Sequence, residues 1–215
     1  MNTVKVAVIY YSFTGNVHLL ADAAATAAGK AGADVRLRRI AELAPMPAQL
    51  AERAGWAEHT AATADVAEVT LDDLDWADAI LLGSPVRFGL PAPQLMHFID
   101  TTAQLSIAGR LTNKVVSAFT SACAPHGGQV TTILALHNAV CHWGAVIVPT
   151  GSADPILYRP DNGNPYGVSH VSHAVHGSVT EDNFAAMEFL TRRTMQVAGA
   201  LVRGLEEDAA AAGDL

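Results

Sequence analysis

A strand, a hydroxyl-rich loop and a helix follow one another at the start of the chain, and this order constrains its fold most. Residues 4–11 form a short apolar run rich in β-branched and aromatic residues, typical of a buried parallel strand. Residues 12–17 follow this run and lead into a helical stretch of small residues that reaches about residue 31. Such a loop directs backbone N–H groups and the positive end of a helix dipole into one concavity, where anions bind.

The loop supplies hydroxyl and amide groups but no Lys or Arg, so a phosphate held there would contact neutral donors only. The dinucleotide fingerprint GxGxxG and the P-loop pattern GxxxxGK[ST] are both absent from it. A loop rich in hydroxyls and poor in glycine suits a single phosphate monoester better than a pyrophosphate, which needs closer backbone approach. The alternative is that Ser12 and Thr14 are ordinary turn and N-cap residues with nothing bound.

Composition indicates one soluble domain and argues against nucleic acid and membrane partners. The 215 residues suffice for one well-buried core, and no run reaches the roughly 18 apolar residues of a membrane span. A formal net charge of −8 opposes binding to nucleic acid. The N-terminus enters a strand without a basic leader, and Cys123 and Cys141 are expected to be reduced thiols. We therefore expect a cytoplasmic protein.

Apolar runs and helical stretches alternate along the chain, a pattern that predicts an α/β fold with a doubly wound parallel sheet and helices on both faces. The predicted strands are residues 4–11, 34–40, 77–84, 114–121 and 144–149. The predicted helices are residues 16–31, 91–102, 129–142 and 181 to about 206. The right-handed crossover rule favours the flavodoxin-like strand order 2-1-3-4-5. We expect one domain over residues 1–206, a flexible tail over 207–215, and irregular segments at 45–70 and 150–180.

Three loops follow strands of this predicted sheet at the edge where α/β proteins bind ligands: residues 12–17, 84–89 and 121–128. Each combines exposed backbone donors with proline or glycine. Converging at one edge, they would form a cleft suited to a planar heteroaromatic group with a phosphate tail.

Five motifs occur in an informative order between about residues 4 and 204. They are YYSFTGN from Tyr10, GSPVRFG from Gly83, FTS from Phe119 with GGQ from Gly127, HWG from His142 leading into VIVPTG, and PYG from Pro165. This series resembles flavodoxin-like FMN proteins, and more closely the NAD(P)H:quinone oxidoreductases of the WrbA type.

The resemblance implies bound FMN, held by the three loops. The residues it assigns to the FMN phosphate are Ser12, Phe13, Thr14, Gly15, Asn16 and Val17. Those it places along the isoalloxazine ring are Pro85, Val86, Arg87, Phe88 and Gly89. Those it assigns to the pyrimidine side and ribityl chain are Ser121, Ala122, Cys123, Ala124, His126, Gly127 and Gly128. It puts His142 over the ring as the catalytic residue that hydrogen-bonds or protonates a quinone oxygen.

The activity that the resemblance implies is ping-pong, two-electron reduction of a small quinone by NAD(P)H through FMN, in a homodimer or homotetramer. The alternative is an FMN electron carrier of the flavodoxin type that serves a partner enzyme. The acidic composition and the SxTGN loop fit a carrier, whereas the two long segments would crowd the flavin edge that a partner must approach. A phosphoryl receiver is disfavoured because Tyr11-Ser12 stands where it needs an acidic pair.

This chain departs from the family pattern at two places. Cys123, Pro125 and His126 interrupt a loop that is usually rich in Ser, Thr and Gly. Ser106 corresponds approximately to a common tryptophan near the flavin, which predicts a wider substrate pocket.

Structural alternatives stand beside these functional interpretations. Arg87 could be a surface arginine, and His142 could complement the dipole of the helix that it ends. Three histidines spaced by three, His170, His173 and His176, lack the carboxylate pattern of a metal site, so we predict no metal.

Overall fold

A parallel sheet with helices on both faces forms the centre of the computed structural model, which describes residues 3–213. The strands are β1 (Lys5–Tyr10), β2 (Asp34–Arg39), β3 (Ala79–Arg87), β4 (Leu90–Pro91), β5 (Val115–Ala122), β6 (Val146–Ile147) and β7 (Val168–Val171). The helices are α1 (Asn16–Lys30), α2 (Ala48–Ala51), α3 (Trp56–Ala62), α4 (Leu71–Trp76), α5 (Pro93–Asp100), α6 (Ala103–Ile107), α7 (Gln129–His142) and α8 (Glu181–Gly213), with a 3₁₀ turn at Pro155–Tyr158.

The order of the main strands is β2-β1-β3-β5-β6, which confirms the predicted flavodoxin-like topology 2-1-3-4-5. The fifth position differs from the prediction, because two short strands share it. β6 pairs with the start of β5 at Val115 and Val116, and β7 pairs with its end from Phe119 to Ala122. The chain between them leaves the sheet and returns, so the strand predicted at 144–149 is reduced to two residues.

Both faces of the sheet are covered, which explains why its strands read as continuous apolar runs. Along β1, Val6, Val8 and Tyr10 pack with α1 and α8, whereas Ala7 and Ile9 contact the cluster built with α4, α5 and α7. All five residues are at most 1% exposed. The alternating direction of side chains in a strand thus divides the core into two layers.

Several predicted helices change their bounds in the structure. The predicted helix 129–142 is confirmed, and α8 continues through Gly213 rather than ending near residue 206. Four of the seven added residues are Ala, the strongest helix former. The segment predicted as irregular at 45–70 contains α2 and α3, and α4 was not predicted. No helix in residues 3–213 combines the length and apolar character needed to cross a membrane.

Gly83 gives the first testable prediction, because it lies opposite Phe119 in the β3–β5 register. A Cβ atom at Gly83 would overlap the fully buried Phe119 ring. Gly83→Ala should therefore lower the free energy of unfolding by about 1–3 kcal/mol, measured by urea denaturation. Gly29→Ala in α1 is the control, since no atom lies within 4 Å of its Cβ position, and it should raise stability by about 0.5–1 kcal/mol. Equal losses in both variants would contradict this account.

Candidate functional site

The carboxyl ends of β1, β3 and β5 open into one cleft of about 290 Å³. The parallel register brings the loops after these strands to the same edge, as predicted. The predicted residues that line the cleft are Ser12, Phe13, Thr14, Asn16, Val17, Pro85, Val86, Arg87, Ser121, Ala122 and Cys123. Residues from three strands far apart in sequence thus share one concave surface.

The amino end of α1 faces this cleft without a side-chain cap. Gly15 is the N-cap residue, with a φ of 103°. Ser12 Oγ accepts a hydrogen bond from the Gly15 N–H at 3.1 Å, so this serine shapes the loop and does not cap the helix. The Asn16 amide is also engaged, since Nδ2 donates to the Val175 carbonyl at 2.9 Å. The first-turn N–H groups of α1 therefore face the cleft as donors, an arrangement that fits a phosphate.

Arg87 supplies positive charge beside the loop of residues 12–17. Its Nη1 donates to the Val86 carbonyl at 3.1 Å, and its guanidinium carbon lies 5.6 Å from the centre of the Phe13 ring. Burial is the main cause that lowers the pKa of Arg87, opposed by the nearby Tyr11. Among the described residues no carboxylate lies within ion-pair distance of it. A partly buried cation of this kind can stabilise negative charge on a ligand.

Two segments contribute cleft residues that the sequence analysis did not assign to the cleft. Segment 45–70 supplies Arg53 and Ala54, and the loop after β7 supplies Ser172, Ala174, Val175 and His176. The signal available in the sequence was their length, since long loops in α/β proteins are usually functional. The length of the segments predicted that they are functional, but not which of their residues line the cleft.

Other predicted cofactor residues do not line the cleft: Gly15, Phe88, Gly89, Ala124, His126, Gly127 and Gly128. Phe88 lies at the tip of the β3–β4 hairpin with a φ of 53° and is fully exposed. Gly128 and Gly89 hold two loops together, because a Cβ atom at Gly128 would lie 2.7 Å from the Gly89 Cα. Gly89 and Gly128 therefore let two loops approach each other closely beside the cleft, although neither residue lines it.

The structure places His142 away from the cleft in which it was predicted to act. It ends α7, whose 14 residues run about 20 Å away from Gly128 and the cleft. Its backbone carbonyl accepts a hydrogen bond from the Ser106 hydroxyl at 3.4 Å. Ser106 therefore lies at the same end of α7 as His142 and does not line the cleft, so it does not widen this pocket as predicted. The physical reason is that a helix following a parallel strand returns to the opposite edge of the sheet. Within one chain, His142 does not reach the cleft.

A pair of histidines supports the loop of residues 12–17 from outside the cleft. His59 in α3 donates from Nε2 to the Ser12 carbonyl at 3.1 Å, and its ring centre lies 5.6 Å from that of His18. His18 Nδ1 lies 2.7 Å from the Tyr10 hydroxyl. Burial, and then repulsion from His18, lowers the pKa of His59 to about 4, partly offset by the bond to Ser12. His59 is therefore neutral at pH 7 and fixes the loop by a hydrogen bond.

The three late histidines take separate positions. His170 is buried in β7, whereas His173 and His176 are exposed in the following loop. Across residues 3–213, no group of three His, Cys, Asp or Glu side chains is placed to hold a metal ion.

Comparisons with known proteins agree with this geometry. The family model described as NADPH-dependent FMN reductase matches residues 4–154. The NAD(P)H dehydrogenase (quinone) of Deinococcus radiodurans is 39% identical over 199 residues, covering 93% of this chain and 98% of that protein. The protein of the same description from Geotalea uraniireducens is 36% identical over 204 residues, covering 93% of this chain and all of that one.

Solved structures share the fold. A flavodoxin, WrbA-like protein from Agrobacterium tumefaciens aligns with a TM-score of 0.60 at 20% identity, covering 94% of this chain and 99% of that chain. An NADH:FMN oxidoreductase in its apo form aligns with a TM-score of 0.57 at 15% identity, covering 90% of each chain. At these identities the likeness shows the flavodoxin-like fold.

His59 gives a prediction about the dependence of stability on pH. Its pKa is about 4 in the folded protein and near 6.5 in the unfolded chain, so the unfolded chain takes up a proton first as pH falls. The stability that depends on neutral His59 is therefore complete above about pH 6.5 and is lost toward about pH 4. His59→Gln, which cannot titrate, should lose less stability between about pH 7 and about pH 4.5, by on the order of 1 kcal/mol.

Urea denaturation at each pH measures this difference. Thr60→Ala, in the same helix, is the control and should follow the wild type. An unchanged pH dependence in His59→Gln would contradict the assignment of a neutral, buried imidazole.

Proposed function

Because the chain belongs to the NADPH-dependent FMN reductase family, we propose that it is an FMN-dependent NAD(P)H:quinone oxidoreductase. The observation that carries the proposal is the cleft itself. An uncapped helix end and an arginine without a carboxylate partner, both at this cleft, suit a planar ligand with a phosphate tail. Relatives matched over nearly their whole length are NAD(P)H dehydrogenases (quinone).

The residues that would hold FMN follow from their places in the cleft. The first-turn N–H groups of α1 and the Thr14 hydroxyl would bind the phosphate. Pro85, Val86 and Arg87 would lie along the ring, and residues 121–123 would line the remainder. The chemistry that bound FMN supplies is two-electron transfer, as hydride, from NAD(P)H to a quinone.

The protein's own contribution is to bind and orient the flavin and to tune its reduction. Phe13 and Val86 offer apolar surface that excludes water from the cleft, and Arg87 sets a positive charge beside it. The cleft is partly open to solvent, so nicotinamide and quinone could occupy the same place in turn. This geometry suits a ping-pong scheme and needs no separate nucleotide-binding domain.

We also propose that the enzyme is a cytoplasmic homodimer or homotetramer. Apolar side chains that a lone chain would leave in water support the assembly: Phe88 is fully exposed, Ile107 is 80% exposed and Tyr158 is 74% exposed. Two exposed free cysteines, Cys123 and Cys141, suit a reducing compartment.

The function is tested by the absorbance spectrum of the purified protein and by steady-state oxidation of NADH and NADPH with benzoquinone. We expect a yellow protein, or one that takes up FMN, with turnover in the absence of any partner. A colourless protein that takes up no FMN would refute the proposal. An FMN electron carrier of the flavodoxin type would bind FMN but show almost no turnover without a reductase.

Arg87→Met tests the electrostatic role, because methionine keeps the apolar length and removes the charge. The more negative, reduced form of the flavin should lose stabilisation, shifting the reduction equilibrium by about tenfold, or ~1.4 kcal/mol. Anaerobic dye equilibration measures the shift. Arg192→Met is the matched control, since Arg192 pairs with Glu188 on the exposed face of α8 and should leave the equilibrium unchanged. Equal behaviour of the two variants would remove Arg87 from the proposed role.

Phe88→Ser tests the assembly. Replacing a fully exposed aromatic ring by a small polar group should weaken an interface by about 2 kcal/mol or more if the ring is buried between copies. Light scattering coupled to size exclusion should then show dissociation at low micromolar concentration. A wild-type protein that is monomeric at all concentrations would rule the assembly out.

A further inference from the structure

A hydrogen-bonded chain of three side chains lies behind the wall of the cleft. Ser121 in β5 is the register partner of His170 in β7, and Ser121 Oγ lies 2.9 Å from His170 Nδ1. On the other side of the ring, His170 Nε2 lies 3.2 Å from Ser178 Oγ. His170 is 1% exposed, whereas Ser121 lines the cleft. The imidazole therefore connects a ligand-facing hydroxyl with the loop that follows β7.

The surroundings of Ser178 determine which groups donate and which accept in this series of hydrogen bonds. Its hydroxyl lies 3.0 Å from the Val175 carbonyl and 3.3 Å from the Ser172 carbonyl, which can only accept hydrogen bonds. The single hydroxyl proton goes to these carbonyls, so Ser178 Oγ accepts from His170 Nε2–H. A neutral imidazole carries one proton, which leaves Nδ1 as an acceptor for the Ser121 hydroxyl.

Burial supports the neutral form of the His170 ring. Burial is the main cause that lowers its pKa, and His173 adds repulsion in the same direction. A hydrogen bond with the Ser178 backbone and the charge of Asp161 oppose this lowering. With burial as the largest contribution, one ring nitrogen remains unprotonated at neutral pH.

We propose that His170 is a positioning residue that holds the Ser121 hydroxyl proton away from the cleft, so that Ser121 accepts a hydrogen bond from a donor on the bound flavin. The inference rests on the proposed binding of FMN in this cleft. FMN offers two kinds of donor that a hydroxyl oxygen can accept, the imide N–H of the pyrimidine ring and the hydroxyls of the ribityl chain.

The same network reaches the phosphate end of the cleft. The Ser178 backbone N–H donates to Asn16 Oδ1 at 3.2 Å, and Asn16 Nδ2 donates to the Val175 carbonyl at 2.9 Å. His170 thus anchors a loop that also contacts the start of α1. One set of hydrogen bonds therefore positions polar groups of two cleft loops, residues 12–17 and 121–128.

The test measures the dissociation constant of FMN from apoprotein by quenching of flavin fluorescence. Ser121→Ala should weaken binding about tenfold, the effect of one lost hydrogen bond to the ligand. His170→Phe should weaken it similarly, and the double variant should be no weaker than Ser121→Ala alone, because both changes remove one interaction. His170→Asn should restore most of the affinity, since its amide oxygen can occupy the place of Nδ1 and accept from Ser121.

Ser117→Ala is the matched control for loss of a buried serine in the same strand. Ser117 Oγ donates to the Val148 carbonyl at 2.6 Å and contacts Thr194 Oγ1, away from the cleft. This variant should lose stability and keep the FMN affinity of the wild type.

Nitrogen NMR of the labelled apoprotein reads the tautomer of His170 without any flavin, and a proton on Nδ1 would overturn the inference. Additive losses in the double variant, or full affinity in both Ser121→Ala and His170→Phe, would overturn it as well. Wild-type protein that binds no FMN would instead contradict the proposed function.

A second ligand distinguishes the two donors. With FMN methylated at the imide nitrogen, Ser121→Ala should match the wild type if that N–H is the donor. An unchanged tenfold loss would assign the donor to a ribityl hydroxyl.

Discussion

The site depends on backbone N–H groups at the amino end of α1, which no side chain of the loop caps. Residues that could have capped the helix have other partners. Ser12 accepts from the Gly15 N–H, and Asn16 contacts residues of the loop after β7. Because the helix end keeps its donors and its dipole, an anion can be held there without a charged side chain. The proposed phosphate site would therefore be formed mainly by the backbone.

Hydrogen bonds between neutral groups then hold this backbone in place. His59 supports the Ser12 carbonyl from outside the loop, and His170 connects Ser121 with Ser178 from behind the opposite wall. Burial lowers the pKa of both imidazoles, so each has one donor and one acceptor at neutral pH. Such groups give direction to a hydrogen bond without adding charge to the cleft.

Two arginines lie where the ligand would bind, in a chain with a formal net charge of −8. Arg87 and Arg53 both line the cleft, and their mutual repulsion contributes to lowering the pKa of Arg87. A small basic region in an acidic protein attracts anionic ligands to one place. This distribution suits an enzyme that takes phosphorylated cofactors.

The sequence by itself determined the strand order, the apolar layers and the three loops that line the cleft. These follow from local patterns: buried parallel strands are continuously apolar, and ligands in such sheets lie beyond the carboxyl ends. The sequence also indicated that segments 45–70 and 150–180 were functional, but not that Arg53 and His176 line the cleft.

Only the tertiary structure decided which residues meet. It placed His142 and Ser106 together at the far end of α7, turned Phe88 outward, and set His170 behind Ser121, 49 positions away in the chain. Local patterns report which face of an element is buried. The partners of a side chain depend on how separate elements pack, and no spacing along the chain encodes that geometry.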